Sequence, residues 1–349
     1  MTSTATVVDP VDWNVATRVA RRVAGADPLT SSYLADSLRH DFDAATRRAD
    51  ELVTDFTGLR GPGPATARVL DRPAWVDANV TSMQQLLGPL TERLGAHLRG
   101  PFAGVGRRVA GTEVGVLLGF LARRVLGQYD LLVAGRHDGL VYYVGPNILA
   151  LEKRYAFRPR DFRLWIAIHE VTHRAQFTGV PWLRGYFLSL VEQALQAVEP
   201  DPKRIFEALG RIAADVRAGR NPLDDGGLAT LLASPEQRIV LARVQALMSL
   251  LEGHGNRVMN ELGRDNVEGQ ARMAHILEAR RSTGGPAAFV YRLLGFEAKM
   301  RQYATGEAFL TAIEAKMGPR AVDVAWRGPE WLPTLDELAR PDDWMARVA

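Results

Sequence analysis

Apolar residues recur at helical spacing through most of the chain. In residues 11–58, Leu34, Leu38 and Phe42 lie four apart with charged residues between them, which is typical of amphipathic helices. A second such stretch covers about residues 73–98, with an interruption expected near Gly88-Pro89. The pattern predicts an N-terminal helical layer over residues 1–105, followed by a second region over residues 106–349 or continuous with it.

An apolar run at residues 114–121 contains part of a regular glycine series, Gly111, Gly115 and Gly119. Such spacing occurs in paired membrane helices. A bilayer, however, requires roughly 18–20 apolar residues, and arginines flank this run on both sides. We therefore predict a buried helix that packs closely on a neighbour, and no membrane span.

Two short apolar runs in the middle of the chain have a different character. Residues 131–134 and 140–144 are separated by a polar, glycine-containing segment, and the second run is rich in Val and Tyr. Such residues favour strands. The pattern predicts a β-hairpin before the next helix, within a mainly α (α+β) fold.

Composition restricts the chemistry. The chain has 349 residues, 47% of them hydrophobic, and no cysteine, so a metal ion would have to be bound by His, Asp or Glu. The 43 Lys and Arg residues nearly balance the 40 Asp and Glu residues and are scattered among them, which argues against a nucleic-acid partner. The first twelve residues lack the basic start and apolar run of a secretory signal, so we expect a cytoplasmic protein.

The chemical centre predicted by the sequence is His169-Glu170-Val171-Thr172-His173. A helix predicted over residues 161–177 places His169 and His173 on one face, four residues apart, where both can bind one Zn²⁺. Glu170 projects from the neighbouring side of the same turn. There it can act as the general base that takes a proton from a metal-bound water and passes it to a leaving amine.

A catalytic zinc requires a third protein ligand, and a second predicted helix offers two candidates. This helix begins with the capping pattern Ser234-Pro235-Glu236-Gln237. It carries Glu252 and His254, two residues and about 200° apart, so both are not expected to reach one ion. Periodicity leaves the choice between them open.

A weaker cluster lies near the end of the chain, where Lys299 and Tyr303 are four residues apart. Tyr303 could stabilise the oxyanion that forms when water attacks a carbonyl group. An ordinary solvated helix face is the alternative interpretation.

Taken together, these segments resemble the zincin-like metallopeptidases and hydrolases of actinobacteria, one branch of which is labelled as associated with biosynthesis of the deazaflavin coenzyme. The resemblance rests on Leu126-Gly127-Gln128-Tyr129-Asp130, Val144-Gly145-Pro146-Asn147, residues 169–177, Leu251-Glu252-Gly253-His254, residues 294–303, and Leu332-Pro333-Thr334 with Trp344.

The resemblance implies a mainly helical zincin-like fold, with the catalytic region over residues 106–349, and a zinc hydrolase. It also implies a carboxylate as the third metal ligand, which favours Glu252 and leaves His254 a catalytic role.

The leading functional hypothesis is hydrolysis of a peptide or related amide, with an extended substrate along the edge of the 141–144 strand. The first alternative is a metal-binding accessory protein of deazaflavin coenzyme metabolism that has no turnover of its own. The second is a hydrolase of small non-peptide amides or esters.

Overall fold

The computed structural model describes residues 9–26, 33–95, 103–131, 139–196, 235–282 and 296–349. In these ranges the fold is mainly α with one small sheet, as the sequence predicts. The chain divides into two compact units, Met1–Ala175 and Gln176–Ala349. The proposed organisation of an N-terminal layer over residues 1–105 and a catalytic region beyond it stays a prediction.

The first unit contains five helices and three strands among its described residues and the greater part of a sixth helix. They are α1 (Trp13–Ala24), α2 (Tyr33–Thr57), β1 (Thr66–Leu70), α3 (Arg72–Gly95), α4 (Ala103–Ala122), β2 (Gly127–Tyr129), β3 (Leu140–Val144), α5 (Gly145–Tyr155) and α6 (Pro159–Gly179), which continues into the second unit. Helix α3 passes through Gly88-Pro89 without the predicted interruption.

The strands form one sheet with the order β1-β3-β2. Strand β3 pairs in parallel with β1, where Val69 is opposite Tyr143, and antiparallel with β2, where Gly127 is opposite Tyr143. One face of the sheet carries Tyr142 and Val144 into a core shared with α1, α3 and α4. On the opposite face, Tyr143 stacks on Phe42 of α2, with ring centroids 4.0 Å apart.

Two sequence-based predictions about these strands are wrong. The hairpin partner of β3 is Gly127–Tyr129; of the predicted strand at residues 131–134, Leu131 is irregular and the rest lies outside the described residues. The 141–144 strand cannot receive a substrate along its edge, because β1 and β2 occupy its two sides. Strand β1 was not predicted, since its single short segment lies between helical patterns.

The glycine series of α4 packs closely on a neighbouring helix, as predicted, and the structure shows that this neighbour is α1. A Cβ atom on Gly115 would lie 2.6 Å from the carbonyl oxygen of Ala16, and one on Gly119 would lie 2.6 Å from that of Ala20. Ala16 and Ala20 are fully buried, so the helices meet at backbone distance. In the part of the chain that the structure describes, no helix is long and apolar enough to cross a membrane.

The second unit is helical in its described part. After the end of α6 it contains α7 (Leu183–Gln196), α8 (Pro235–Asn266), α9 (Gln270–Ser282), α10 (Phe296–Met317), the 3-10 turns Ala321–Arg327 and Pro329–Trp331, α11 (Leu335–Ala339) and α12 (Pro341–Val348). Ser234, the predicted cap of α8, lies outside the described residues.

Helices α8 and α10 cross at two glycines. A Cβ atom on Gly253 would lie 2.5 Å from the carbonyl carbon of Gly306, and one on Gly306 would lie 2.0 Å from the carbonyl oxygen of Ser249. Beside this crossing, Leu250, Phe309 and other apolar residues form the core of the unit. The crossing fixes the segment of α8 that carries Glu252 and His254.

Candidate metal centre

Helix α6, which carries the predicted motif, is anchored by buried ion pairs. Arg163 makes a bidentate pair with Glu152 of α5, both N–O distances being 2.8 Å, and also pairs with Asp41 of α2. Arg174, which directly follows His173, pairs with Asp50 of α2 at 3.0 Å. Because Arg163 and Arg174 are almost completely buried, their guanidinium groups fix the rotation and axial position of the helix.

His169 and His173 face each other across one helical turn. Their Nε2 atoms are 3.2 Å apart, and their rings are nearly perpendicular, with centroids 4.6 Å apart. Two ligands about 2.0–2.1 Å from a tetrahedral zinc ion would be about 3.3 Å apart. The separation of the two imidazole nitrogens therefore fits a shared metal ion.

Glu252 completes a group of side chains that could hold a metal ion. One ligand atom each from His169, His173 and Glu252 can be chosen so that all three lie within 4.8 Å of one another. Two imidazoles and one carboxylate are a donor set typical of catalytic zinc, which leaves a fourth position open for water or substrate. The residues present fit a zinc ion.

Glu170, the predicted general base, lies against the sheet. Its side chain is about nine-tenths buried. A Cβ atom placed on Gly127 of β2 would be 2.5 Å from its Cγ and 2.7 Å from its Oε1. The carboxylate therefore lies directly over the backbone of Gly127.

Tyr143 lies beside Glu170 but is held in its neutral form. Its hydroxyl group is 2.8 Å from Oγ1 of Thr46, and the ring is completely buried. Burial, and to a smaller extent the charge of Glu170, raises the pKa of Tyr143 despite the hydrogen bond with Thr46. A phenol with a raised pKa stays protonated at neutral pH, and the ring of Tyr143 packs by stacking on Phe42.

His254 is held by a glutamine. Nε2 of Gln176 is 2.9 Å from both Nδ1 of His254 and the carbonyl oxygen of Leu251. Because the carbonyl requires a donor, this atom is the NH₂ group of Gln176, and Nδ1 of His254 must be an acceptor. The ring proton of neutral His254 is therefore on Nε2. The ring also packs edge-on against Trp326, with centroids 5.5 Å apart.

The remaining predicted residue, Tyr303, lies on α10, but its side chain is outside the described part of the structure. Sequence reasoning missed Gly127 and Gln176. A signal for Gln176 existed, because it follows His173 by three residues and so lies on the histidine-bearing face of α6. Gly127 lies in one of the segments that carry the family resemblance, but its contact with Glu170 depends on the fold.

Comparisons with known proteins identify the family of this chain. The family model for zincin-like metallopeptidases matches residues 11–345. A solved structure described as "a putative hydrolase with a novel fold from Chloroflexus aurantiacus" is similar over 97% of this chain and 98% of its own, with 33% sequence identity and a TM-score of 0.72. No match was found among curated proteins. Because the family model spans nearly the whole chain, this protein belongs to the zincin-like metallopeptidases.

Proposed function

We propose that the protein is a zinc-dependent hydrolase that cleaves a peptide or related amide bond. The observation that carries the proposal is the grouping of His169, His173 and Glu252 next to a carboxylate, Glu170, at the position where a general base is required. Family membership and the similarity to a described hydrolase support the same reaction class.

Each side chain of the site has a distinct part in the proposed mechanism. His169, His173 and Glu252 would hold the metal, and zinc, when bound, would supply the Lewis acidity that makes water a nucleophile near neutral pH. Glu170 accepts the proton of the attacking water and delivers it to the leaving nitrogen. Because Glu170 is buried, bulk solvent competes little for hydrogen bonds to its carboxylate.

His254 is proposed to act as a hydrogen-bond donor toward the substrate. Its Nδ1 atom is occupied by Gln176, so the proton on Nε2 is the one that can stabilise negative charge on a carbonyl oxygen. Tyr303 stays a proposed catalytic residue on the sequence alone, as a candidate to stabilise the oxyanion.

The proposed docking site for an extended substrate is the outer edge of β2, in place of the edge of β3. Val144 donates to the carbonyl oxygen of Leu126, and Asp130 donates to that of Leu140. Since backbone groups alternate in direction along an antiparallel strand, the peptide groups of Gly127 point away from β3. Strand β2 is the last strand of the sheet that the structure describes, and we place an extended substrate on that side, next to Glu170.

The test compares wild type with Glu170→Gln on a library of peptides, small amides and matched esters, with and without zinc. We expect zinc-dependent cleavage by wild type, and a loss of roughly 10²–10⁴-fold in the variant, with unchanged zinc content. Glu278→Gln replaces an exposed carboxylate of α9 and serves as the matched control with full activity.

Other outcomes would favour the alternatives. A zinc-loaded wild type that cleaves nothing in the library would favour a metal-binding accessory protein, including the proposed association with deazaflavin coenzyme metabolism. Cleavage confined to small esters or small amides would favour the non-peptide hydrolase.

A further inference from the structure

We propose that Gly127 is the positioning residue for Glu170: the missing side chain at Gly127 leaves a notch in the sheet in which the general base lies. This inference rests on the proposed function for its catalytic consequence, but its steric part stands on the geometry of the first unit alone. The Gly127 notch is the space over Gly127 that a Cβ atom would fill.

The side chain of Glu170 fits into the Gly127 notch. A Cβ atom on Gly127 would lie 2.5 Å from Cγ, 2.7 Å from Cδ and 2.7 Å from Oε1 of Glu170. Ordinary van der Waals contacts of a Cβ atom begin at 3.4 Å, and contacts under 3.0 Å require something to shift, which here is the side chain of Glu170 and not a backbone. The Glu170 side chain therefore occupies the place of the missing side chain.

The wall of the Gly127 notch that Tyr143 forms is rigid. Tyr143 lies opposite Gly127 in the strand pairing, so both residues face the same side of the sheet. The Tyr143 ring is completely buried and stacks on Phe42, and its hydroxyl group makes a hydrogen bond with Thr46. Glu170 thus cannot move toward Tyr143, and a methyl group on Gly127 would force the carboxylate out of its place.

Displacement of Glu170 from the Gly127 notch has a chemical consequence. A general base must be within hydrogen-bond reach of the proton that it accepts, and misplacement by about 1 Å can cost 10²-fold in rate. Because β2 does not provide any of the three grouped metal ligands, a change at Gly127 should displace the base without removing the metal. Gly127 therefore acts on turnover through Glu170.

The experiment is a double-mutant cycle in the full chain with Gly127→Ala, Glu170→Ala and the double variant. We expect Gly127→Ala to retain zinc, to lower kcat by roughly 10–100-fold with little change in KM, and to lower the thermal midpoint. In the Glu170→Ala background the same substitution should leave the midpoint nearly unchanged, because the clashing carboxylate is gone. Gly185→Ala, where a Cβ atom meets nothing within 4 Å, is the matched glycine control.

The inference is overturned if Gly127→Ala lowers the midpoint equally in both backgrounds, or if it leaves kcat at the wild-type value. If Gly127→Ala does not fold, folding of the double variant supports the inference, and failure of the double variant to fold overturns it. Should wild type show no hydrolysis at all, the proposed function fails, whereas the thermal cycle still decides whether Gly127 positions Glu170.

Discussion

Gln176 and His254 are linked by a hydrogen bond of 2.9 Å, in which the buried amide of α6 donates to Nδ1 of the buried imidazole of α8. The same NH₂ group donates to the carbonyl oxygen of Leu251. One side chain thus fixes both the tautomer of His254 and the position of α8 beside the end of α6.

Replacing Gln176 with Leu tests this link. The substitution leaves two buried acceptors, Nδ1 of His254 and the oxygen of Leu251, without their donor, and an unsatisfied buried group costs about 1–3 kcal/mol. We expect a fall of that order in the free energy of unfolding by urea titration and a decrease of roughly 10–100-fold in turnover. Wild-type stability in Gln176→Leu would contradict the assigned donor role.

Loss of Glu252 and loss of His254 should have different effects on zinc affinity. Glu252→Ala removes a charged ligand and leaves two imidazoles for the ion, so zinc affinity should fall sharply. His254→Ala should lower turnover with a much smaller change in zinc content, since residues around the ligands typically contribute only about 10–100-fold. The measurement is the zinc content of the two purified variants and of wild type. We expect about one zinc per chain in wild type.

Two other outcomes would change the ligand assignment. If His254→Ala loses the metal while Glu252→Ala retains it, the two roles are exchanged. Equal loss of zinc from both variants would place both side chains on the ion.

The crossing of α8 and α10 at Gly253 should not tolerate a side chain. In Gly253→Ala the new Cβ atom would meet the backbone of Gly306 at 2.5 Å, and backbone atoms cannot rotate away. We expect destabilisation of at least about 1–3 kcal/mol, the usual cost of overpacking, measured by chemical denaturation. Gly185→Ala, an open helical position, should instead be neutral or slightly stabilising; equal effects of the two would refute the close crossing.

Acid stability should depend on Glu337 in α11. Burial opposes its ionisation, but hydrogen bonds from Arg347 and Thr334 outweigh burial and lower the pKa of Glu337 from its ordinary 4.5. A carboxyl group with a lowered folded-state pKa adds stability above about pH 4.5 that is lost as the pH falls through the folded-state pKa. Glu337→Gln should therefore be less stable than wild type at pH 7, with the difference narrowing below pH 4.5 in denaturation at several pH values.

A matched control for that experiment is Asp342→Asn. Its carboxylate is exposed and pairs with Lys316 at the surface, so the substitution should change stability little across the same pH range. A Glu337→Gln variant with the same pH dependence as wild type would contradict the role of the Arg347 pair.

The sequence by itself determined the features that depend on local spacing. The two histidines and Glu170 share one helical turn because residues three and four apart meet on any α-helix, whatever surrounds it. The glycine series of α4 likewise predicted close packing, because glycines four residues apart leave one face of a helix without side chains. These predictions required only the period of one element.

Only the tertiary structure decided which distant elements meet. It paired β3 with β1 and β2, grouped Glu252 with the histidines, bonded His254 to Gln176 and placed Glu170 over Gly127. The periodicity of α8 left Glu252 and His254 equivalent, because either face of an apolar helix can turn inward. Contacts of this kind depend on how whole helices and strands pack, and that packing is the sum of many weak interactions along the chain. The residue spacing within one segment therefore does not predict them.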